Sequence, residues 1–307
     1  MAYRGEGRKR LRYLLPLLFS FLLLALLGSA SPEGEANRQP EVQHLLPPPQ
    51  ASPETVRLVT FNVHYARDLP RLVESIRTHP TLRTADVLLL QEIESHPSEG
   101  ASRAHKLAHA LRLNYVYAPA RATDDGGTHG LAILSRFPLS EVEVFPLKQY
   151  NLGFNTRQRI ALAATLDVAG RPLRLYNVHL DTRINTQERI EQLRSVVEAA
   201  RQHRVSHAVI GGDFNTNPFR WLFHVLPVFR SNQAKGVDEF MKESGFETSF
   251  VSNGSTSRKP LLRMRIDSLY SRGLRVAAFG VERSVDVSDH FPLWMDITWP
   301  PPLPGSH

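Results

Sequence analysis

Several runs of apolar residues in this chain end on a side chain that can hold a metal or move a proton. Thr60-Phe61-Asn62-Val63-His64 ends on an amide and a histidine, and Leu89-Leu90-Gln91-Glu92 on a carboxylate. Tyr176-Asn177-Val178-His179 ends on a histidine, and Gly211-Gly212-Asp213-Phe214-Asn215 carries a carboxylate and an amide on alternate positions. Asp267 lies in Arg265-Ile266-Asp267-Ser268, and Asp289 and His290 lie in Val287-Ser288-Asp289-His290-Phe291. Each has an ordinary reading by itself. Asn or Asp after a strand is commonly a turn former, a lone histidine a satisfied polar group, and Asp267 a core carboxylate paired with Arg263 or Arg265. Taken together they describe one chemistry, provided the strand ends meet in space: polar residues at strand mouths over a packed scaffold are where sites are built. Oxygen donors without thiolates suit Mg²⁺ or Mn²⁺. Carboxylates can deprotonate water, and histidines exchange protons near neutral pH. In an extended chain Asp213 and Asn215 would face the same way.

The elements that must position these groups are legible as alternating short β-branched runs and helical stretches. Strands are predicted over Val56–Phe61, Val87–Gln91, Leu131–Ser135, Arg159–Asp167, Leu173–His179, Ala208–Gly211, Met264–Tyr270 and Leu293–Ile297. The runs 86–91 and 207–211 are almost continuously apolar, as in strands covered on both faces. The clearest helix follows Asn185, with Ile190, Leu193, Val196, Val197 and Ala200 on one face and Glu188, Arg189, Glu191, Arg194, Glu198 and Arg201 on the other. Asn185 and Glu188 have the spacing of a capping box. Further helices are predicted over Leu69–Thr78, Ser102–Leu111 and Lys235–Ser244. Many strands with few helices predict an α/β protein of two packed sheets with helices outside.

The 307 residues contain no cysteine, which excludes disulfides, thiolate metal sites and a cysteine nucleophile. The formal charge of +7 sits largely at the start of the chain. The first 30 residues hold five basic residues against Glu6; the other 32 basic and 29 acidic residues leave +3, so no broad polyanion-binding face is demanded. A basic cluster at Arg8–Arg12 precedes the apolar run Leu14–Gly28, and Gly28 and Ala30 stand where a cut before Ser31 would need small residues. That order is a secretory signal, short for a spanning helix; the alternative is a retained anchor through residues 11–28. The protein is therefore expected to be exported, periplasmic or extracellular, or anchored at a membrane. The proline-rich stretch 31–54 is expected to be a linker, 55–299 the folded domain and 300–307 a disordered tail.

The motifs resemble the endonuclease/exonuclease/phosphatase superfamily, which includes pancreatic deoxyribonuclease, apurinic endonucleases, neutral sphingomyelinases and inositol-polyphosphate 5-phosphatases. The matching pieces are TFNVH (60–64), LLLQEIE (88–94), GLAILSRFPL (130–139), YNVHLD (176–181), GGDFNTNP (211–218), RIDSLY (265–270) and VSDHFPL (287–293), in family order. The resemblance implies a four-layer α/β/β/α sandwich of two mixed sheets and a metal-dependent phosphoester hydrolase. It implies that Asn62, Glu92 and Asp289 lie on the metal side, with Glu92 the principal ligand. Asp213 and Asn215 would position the attacking water and the phosphoryl oxygens. His290, oriented by Asp267, would stabilise charge on the phosphate, and His179 would assist the leaving oxygen. His64, Arg159 and Arg183 are expected to contact substrate. His64 stands where several nucleases of the family have an aspartate, and Leu131 where the common stretch has an asparagine.

The expected substrate is a phosphodiester, favouring a phospholipid, sphingolipid or glycosylphosphatidylinositol-like head group at a membrane, handled by a monomer. The apolar N-terminal run, the modest remaining charge and the pattern NVHLD (177–181) with Arg189 and Gln192, which resembles the sphingomyelinase-type branch and bacterial relatives of GPI-anchor lipid-remodelling proteins, motivate it; the stretch Trp221–Phe229 is also unusually apolar. That stretch could equally be a core helix. The competing reading is an exported nuclease, with Arg121, Arg157, Arg159, Arg183, Arg220, Arg258, Lys259, Arg263 and Arg265 on successive phosphates. A third is a binding module that has lost the chemistry.

Overall fold

In the computed structural model, residues 39–47, 49, 53–259 and 262–301 are described. The N-terminal segment expected to direct export and the final residues 302–307 lie outside them. The chain runs β1 (Glu41–Gln43), β2 (Val56–Tyr65), α1 (Leu69–Thr78), β3 (Val87–Ser95), α2 (Arg103–Leu111), β4 (Asn114–Ala122), β5 (Thr128–Ser135), β6 (Leu139–Pro146), β7 (Ile160–Val168), β8 (Arg171–His179) and α3 (Thr186–Gln202). It continues through β9 (Ala208–Asp213), β10 (Phe219–Leu222), β11 (Leu226–Phe229), α4 (Gln233–Glu243), β12 (Asp267–Arg272), β13 (Arg275–Val281) and β14 (Leu293–Thr298).

Two mixed sheets form the centre. The first has seven strands in the order β1-β4-β5-β3-β2-β14-β13, and the second five in the order β12-β9-β8-β7-β6. Alternating side chains of one strand serve two cores. Leu58 of β2 and Leu89 of β3 face the second sheet, where they meet Leu162, Leu175, Val209 and Leu269. Their neighbours Val59, Leu88 and Leu90 face α1 and α2 through Leu72, Ile76 and Leu107. Tyr176, Val178 and Ile210 of the second sheet pack against Leu193, Val196, Val237 and Met241 of α3 and α4. This is the four-layer α/β/β/α sandwich that the motifs implied, and the double burial explains why these strands are apolar runs rather than alternations.

Some details differ from the sequence reading. The stretch 31–54 is not all spacer, because Glu41–Gln43 adds an edge strand to β4. The strand expected from Met264 starts only at Asp267. The Trp221–Phe229 stretch is neither core helix nor irregular loop but most of a separate two-stranded hairpin. The capping box at Asn185 and Glu188 forms, but the buried face of α3 is Arg189, Gln192, Leu193, Val196, Val197 and Ala200. Arg189, expected in solvent, is fully buried.

The two sheets are also joined by a buried polar clasp. Gln91 donates to Asn177 Oδ1 at 2.7 Å and to Thr60 Oγ1 at 3.0 Å. Asn177 returns its amide to the carbonyls of Leu90 and Ala132 at 2.8 and 2.9 Å. Buried amides bonded across the layers fix one register between them, although Gln91 Oε1 itself has no partner. Gly212, at φ +146°, allows β9 to press on β8: a Cβ there would lie 2.0 Å from the Val178 carbonyl oxygen.

Candidate active site

Register places the first group of polar residues. β8, β9 and β12 are adjacent, and His179 lies opposite Asp213, which lies opposite Asp267. Three polar side chains thus end three neighbouring strands in one row. His290, after the last loop, reaches this row: its Nδ1 lies 3.0 Å from Asp267 Oδ2. The other oxygen bond to that carboxylate comes from Thr256 Oγ1 at 2.7 Å. Thr256 Oγ1 itself accepts from the backbone N–H of Ile266 and Asp267 at 2.9 and 3.0 Å. Asp267 is therefore an orienting carboxylate for His290, not the partner of Arg263 or Arg265; Arg265 pairs with Asp238 at 2.5 Å.

The second group comes from the first sheet, by a different device. The pairing of β2 with β3 shifts register between Asn62 and Tyr65, and that of β3 with β5 shifts between Gln91 and Ile93. His64 and Glu92 sit in these irregularities with φ of 44° and 56°. Such bulges re-aim side chains next to sites. Glu92 turns to within 3.8 Å of His179 Nε2, and His64 Nδ1 comes within 3.2 Å of Asp289 Oδ1 and 4.0 Å of Glu92. Asn62 spans the two groups, donating to Asp213 Oδ2 at 3.0 Å and accepting from the His64 N–H at 3.1 Å. Ser288 bonds the Asn62 carbonyl at 2.7 Å, which ties the last loop to β2.

The environment separates the protonation states. Burial raises the Asp213 carboxyl to about 6, with the His290 cation opposing and Asp267 adding to the rise. Burial opposes charge on His290, yet Asp267 and Asp213 raise its ring to about 10, so it is a cation at neutral pH. His179 is held neutral, far below the ordinary histidine range, by burial and then by Arg159. Arg159 Nη1 lies 3.2 and 3.1 Å from the two ring nitrogens, and its Nε pairs with Asp181 at 3.0 Å. Burial, followed by the charge of Asp213, raises Glu92.

Two donor sets compete as a metal site. Asp213, Asp267 and His290 place ligand atoms within 4.8 Å of one another. To bind an ion there His290 would have to give up the proton that Asp267 and Asp213 stabilise, since a protonated imidazole has no lone pair to offer. Glu92, Asn62 and Asp289 fit better. Glu92 is a half-buried carboxylate crowded by Asp213, and Asp289 Oδ1 carries no hydrogen bond, its polar neighbour being His64 Nδ1 at 3.2 Å. A cation satisfies both conditions.

Asn215 is present but not as expected. With φ of 51° the chain is not extended there. Its N–H caps Asp213 Oδ1 at 2.8 Å while its amide donates to the Leu180 carbonyl at 2.9 Å. Arg183 sits apart from the row, with its guanidinium 5.9 Å from the centre of the Trp221 ring. The row of arginines proposed for phosphate contacts is broken up. Arg265 is spent on Asp238, Arg159 on Asp181, and Arg258 donates to the Ser288 carbonyl at 3.0 Å.

His129 and Thr256 were not anticipated, and Arg189, singled out together with Gln192, has a structural role. His129 is buried with its ring 6.3 Å from that of His179. Thr256 completes the Asp267–His290 pair. Arg189 donates to Gln233 Oε1 at 2.6 Å and to the carbonyls of Phe214, Thr182 and Ile184 at 2.8, 3.0 and 3.2 Å, and also to that of Asp181, binding the loops after β8 and β9 together. Its place in the pattern with residues 177–181 and Gln192 was the available signal, although the helical periodicity put it on the polar face.

Residues 59–290 match the model of the Endonuclease/Exonuclease/phosphatase family. The chain belongs to that family. Members hydrolyse phosphoester bonds, typically with a divalent metal. Solved structures share the fold at low identity. An endonuclease/exonuclease/phosphatase from Beutenbergia cavernae DSM 12333 is 20% identical, with a TM-score of 0.63 over 80% of this chain and 72% of that one. A humanized D. rerio TDP2 is 18% identical, with a TM-score of 0.57 over 80% of this chain and all of the other (100%). The mannosyl-6-phosphatase Bt3783 of Bacteroides thetaiotaomicron VPI-5482 is 16% identical, with a TM-score of 0.57 and the same coverage, 80% and 100%. No curated protein matches the sequence.

Proposed function

We propose that this protein hydrolyses a phosphodiester with Mg²⁺ or Mn²⁺, acting on a phospholipid, sphingolipid or glycosylphosphatidylinositol-like head group at a membrane. The observation that carries the hydrolytic part is the geometry of one buried cluster: Asp213 Oδ2 lies 3.5 Å from His179 Nε2 and 3.9 Å from His290 Nε2, His290 is held by Asp267 at 3.0 Å, and Glu92 lies 3.8 Å from His179. Asp213 accepts a proton from the attacking water, oriented by the Asn62 amide and the Asn215 N–H on its two oxygens. The water oxygen bonds phosphorus as the ester P–O bond breaks; the departing alkoxide takes a proton from solvent water, and Asp213 returns the one it accepted to solvent. His290, held by Asp267, donates a hydrogen bond to a non-bridging oxygen and stabilises its developing charge. His179, neutral and braced by Arg159, faces the leaving oxygen as a hydrogen-bonding group. Glu92, Asn62 and Asp289 would hold the divalent ion, which supplies charge neutralisation at the phosphoryl group. The lipid preference rests on the modest charge outside the first 30 residues and on the apolar N-terminal run, which we read as an export signal or anchor.

A nuclease is the second reading, since a D. rerio TDP2 that shares the fold has been solved with a single-strand DNA product. Full-length protein with Mg²⁺ is to be given phospholipid vesicles in one tube and plasmid DNA in another, with EDTA and His290→Ala as controls. Head-group release lost in both controls supports the lipid reading. Salt-sensitive plasmid nicking with the same controls overturns it in favour of the nuclease. Silence in both tubes from folded protein contradicts phosphodiester hydrolysis on either substrate.

A further inference from the structure

The β10–β11 hairpin exposes more apolar surface than water tolerates without a reason. At its tip Phe223 is 93% exposed, with Val225 and Leu226 at 56% and 59%, and Phe229 at 65% near its base. This is not a loosely attached flap. The Trp221 backbone exchanges two hydrogen bonds with the Asn185 side chain, at 2.8 and 3.0 Å. His224, in the turn, bonds the Arg183 carbonyl at 2.9 Å and lies 3.3 Å from Glu188. Gln233, itself fixed by the buried Arg189, donates to the Phe219 carbonyl at 2.8 Å. The turn is thus pinned to the first turn of α3 while Phe223 projects outward.

The hairpin also belongs to the rim of the active site. Asn217 donates to the carbonyls of Asn215 and Thr182 at 3.1 and 3.2 Å and accepts from the Phe219 N–H at 3.1 Å. The loop that ends on Asp213 and Asn215 therefore continues into the hairpin through a hydrogen-bonded corner. Behind the apolar tip, Arg220 is exposed on β10 and Arg230 directly after β11. An apolar tip, a tryptophan and flanking cations form the profile of a segment that enters the interface of a bilayer carrying anionic lipids.

We propose that the hairpin 219–229 inserts Phe223, Val225 and Leu226 into a lipid bilayer and so holds the mouth of the active site against the head groups. The occupant is a membrane surface rather than a protein partner, because the tip is convex and its base is cationic. This inference rests on the lipid reading of the site but is tested separately from it.

The chain lacks cysteine, so full-length Phe223→Cys carries an environment-sensitive fluorophore at a single place. Ala169→Cys, exposed in the β7–β8 turn at the end of β8 opposite His179, serves as control. Both are mixed with phosphatidylcholine–phosphatidylglycerol vesicles bearing doxyl-labelled acyl chains. The expected result is a blue shift and quenching of the label at 223 with none at 169, whatever the N-terminal run does. A label at 223 that stays in water, like the one at 169, overturns the proposal. So does one already shielded without vesicles in a protein that elutes as a dimer, since a second copy then covers the tip. Phe223→Asp/Leu226→Asp is expected to slow head-group release from vesicles about tenfold or more and to leave hydrolysis of bis(4-nitrophenyl) phosphate unchanged. Insertion at 223 without any head-group release would uphold the docking and overturn the lipid-substrate reading.

Discussion

The two sheets contribute to one site by opposite means. The second sheet uses regularity: His179, Asp213 and Asp267 stand side by side because β8, β9 and β12 keep their register to the last residue. The first sheet uses irregularity: Glu92 and His64 arrive through register shifts with positive φ. The regular half carries the groups whose proton affinities must be set by one another, and neighbouring strands fix such distances well. The irregular half carries Glu92, the principal oxygen donor proposed for the metal, which must turn off the strand axis to meet Asn62 and Asp289. Non-glycine residues at positive φ are strained, and that cost is tolerated where the side chain has work to do.

The largest effect should come from breaking the regular row. Asp213→Asn and His290→Gln are each expected to lower kcat by about a thousandfold, the two together by little more than either, since the groups act as a unit. Roughly additive losses in steady-state kinetics would mean that they serve separate steps. Removing the irregular half's charge, by Glu92→Gln or by chelation, should cost about a hundredfold or more, and excess Mn²⁺ should restore the chelated wild type fully and the variant only in part.

Arg189→Met probes the support shared by both loops rather than the chemistry. It strands several buried carbonyls and is expected to lower unfolding free energy by about 3 kcal/mol in urea denaturation. A change below about 1 kcal/mol would show that the loops hold without it.

The pH–rate profile sharpens the assignment within the row. Asp213 acts unprotonated, so kcat/KM should fall as pH drops through about 6. His290 acts protonated, so the opposite limb should lie near 10. The same shift has a stability counterpart. The folded pKa of His290 is raised above the ordinary 6.5, so its stabilising contribution is complete below about 6.5 and is lost as pH rises through about 10. The smallest effect belongs to Thr256→Val, which leaves Asp267 one donor short. About a tenfold loss in kcat is expected, with the alkaline limb moved; unchanged kinetics would reduce Thr256 to packing.

Much of this was legible in the sequence for identifiable reasons. The doubly buried strands read as apolar runs, and each such run ended on a polar residue that packing could not explain. What escaped was set by tertiary context. β4 contains Pro119, which argues against a central strand, yet a register shift between Pro119 and Arg121 absorbs it. β1 is a short edge strand hidden among prolines. Arg189 looked like one more charge on a polar helix face, because only the loops folded over α3 give its guanidinium carbonyl partners. The apolar character of the hairpin was visible; its strand geometry depends on anchors at Asn185, Arg183 and Gln233, two of them more than thirty residues away in sequence.

The division of labour is tested most directly by Mn²⁺ binding, measured by calorimetry on Glu92→Gln and Asp267→Asn without substrate. Metal held by Glu92, Asn62 and Asp289 predicts that Glu92→Gln weakens binding about tenfold or more, and that Asp267→Asn leaves it within about twofold while abolishing most turnover. Binding that survives Glu92→Gln and is lost in Asp267→Asn would place the ion among Asp213, Asp267 and His290 and contradict the account.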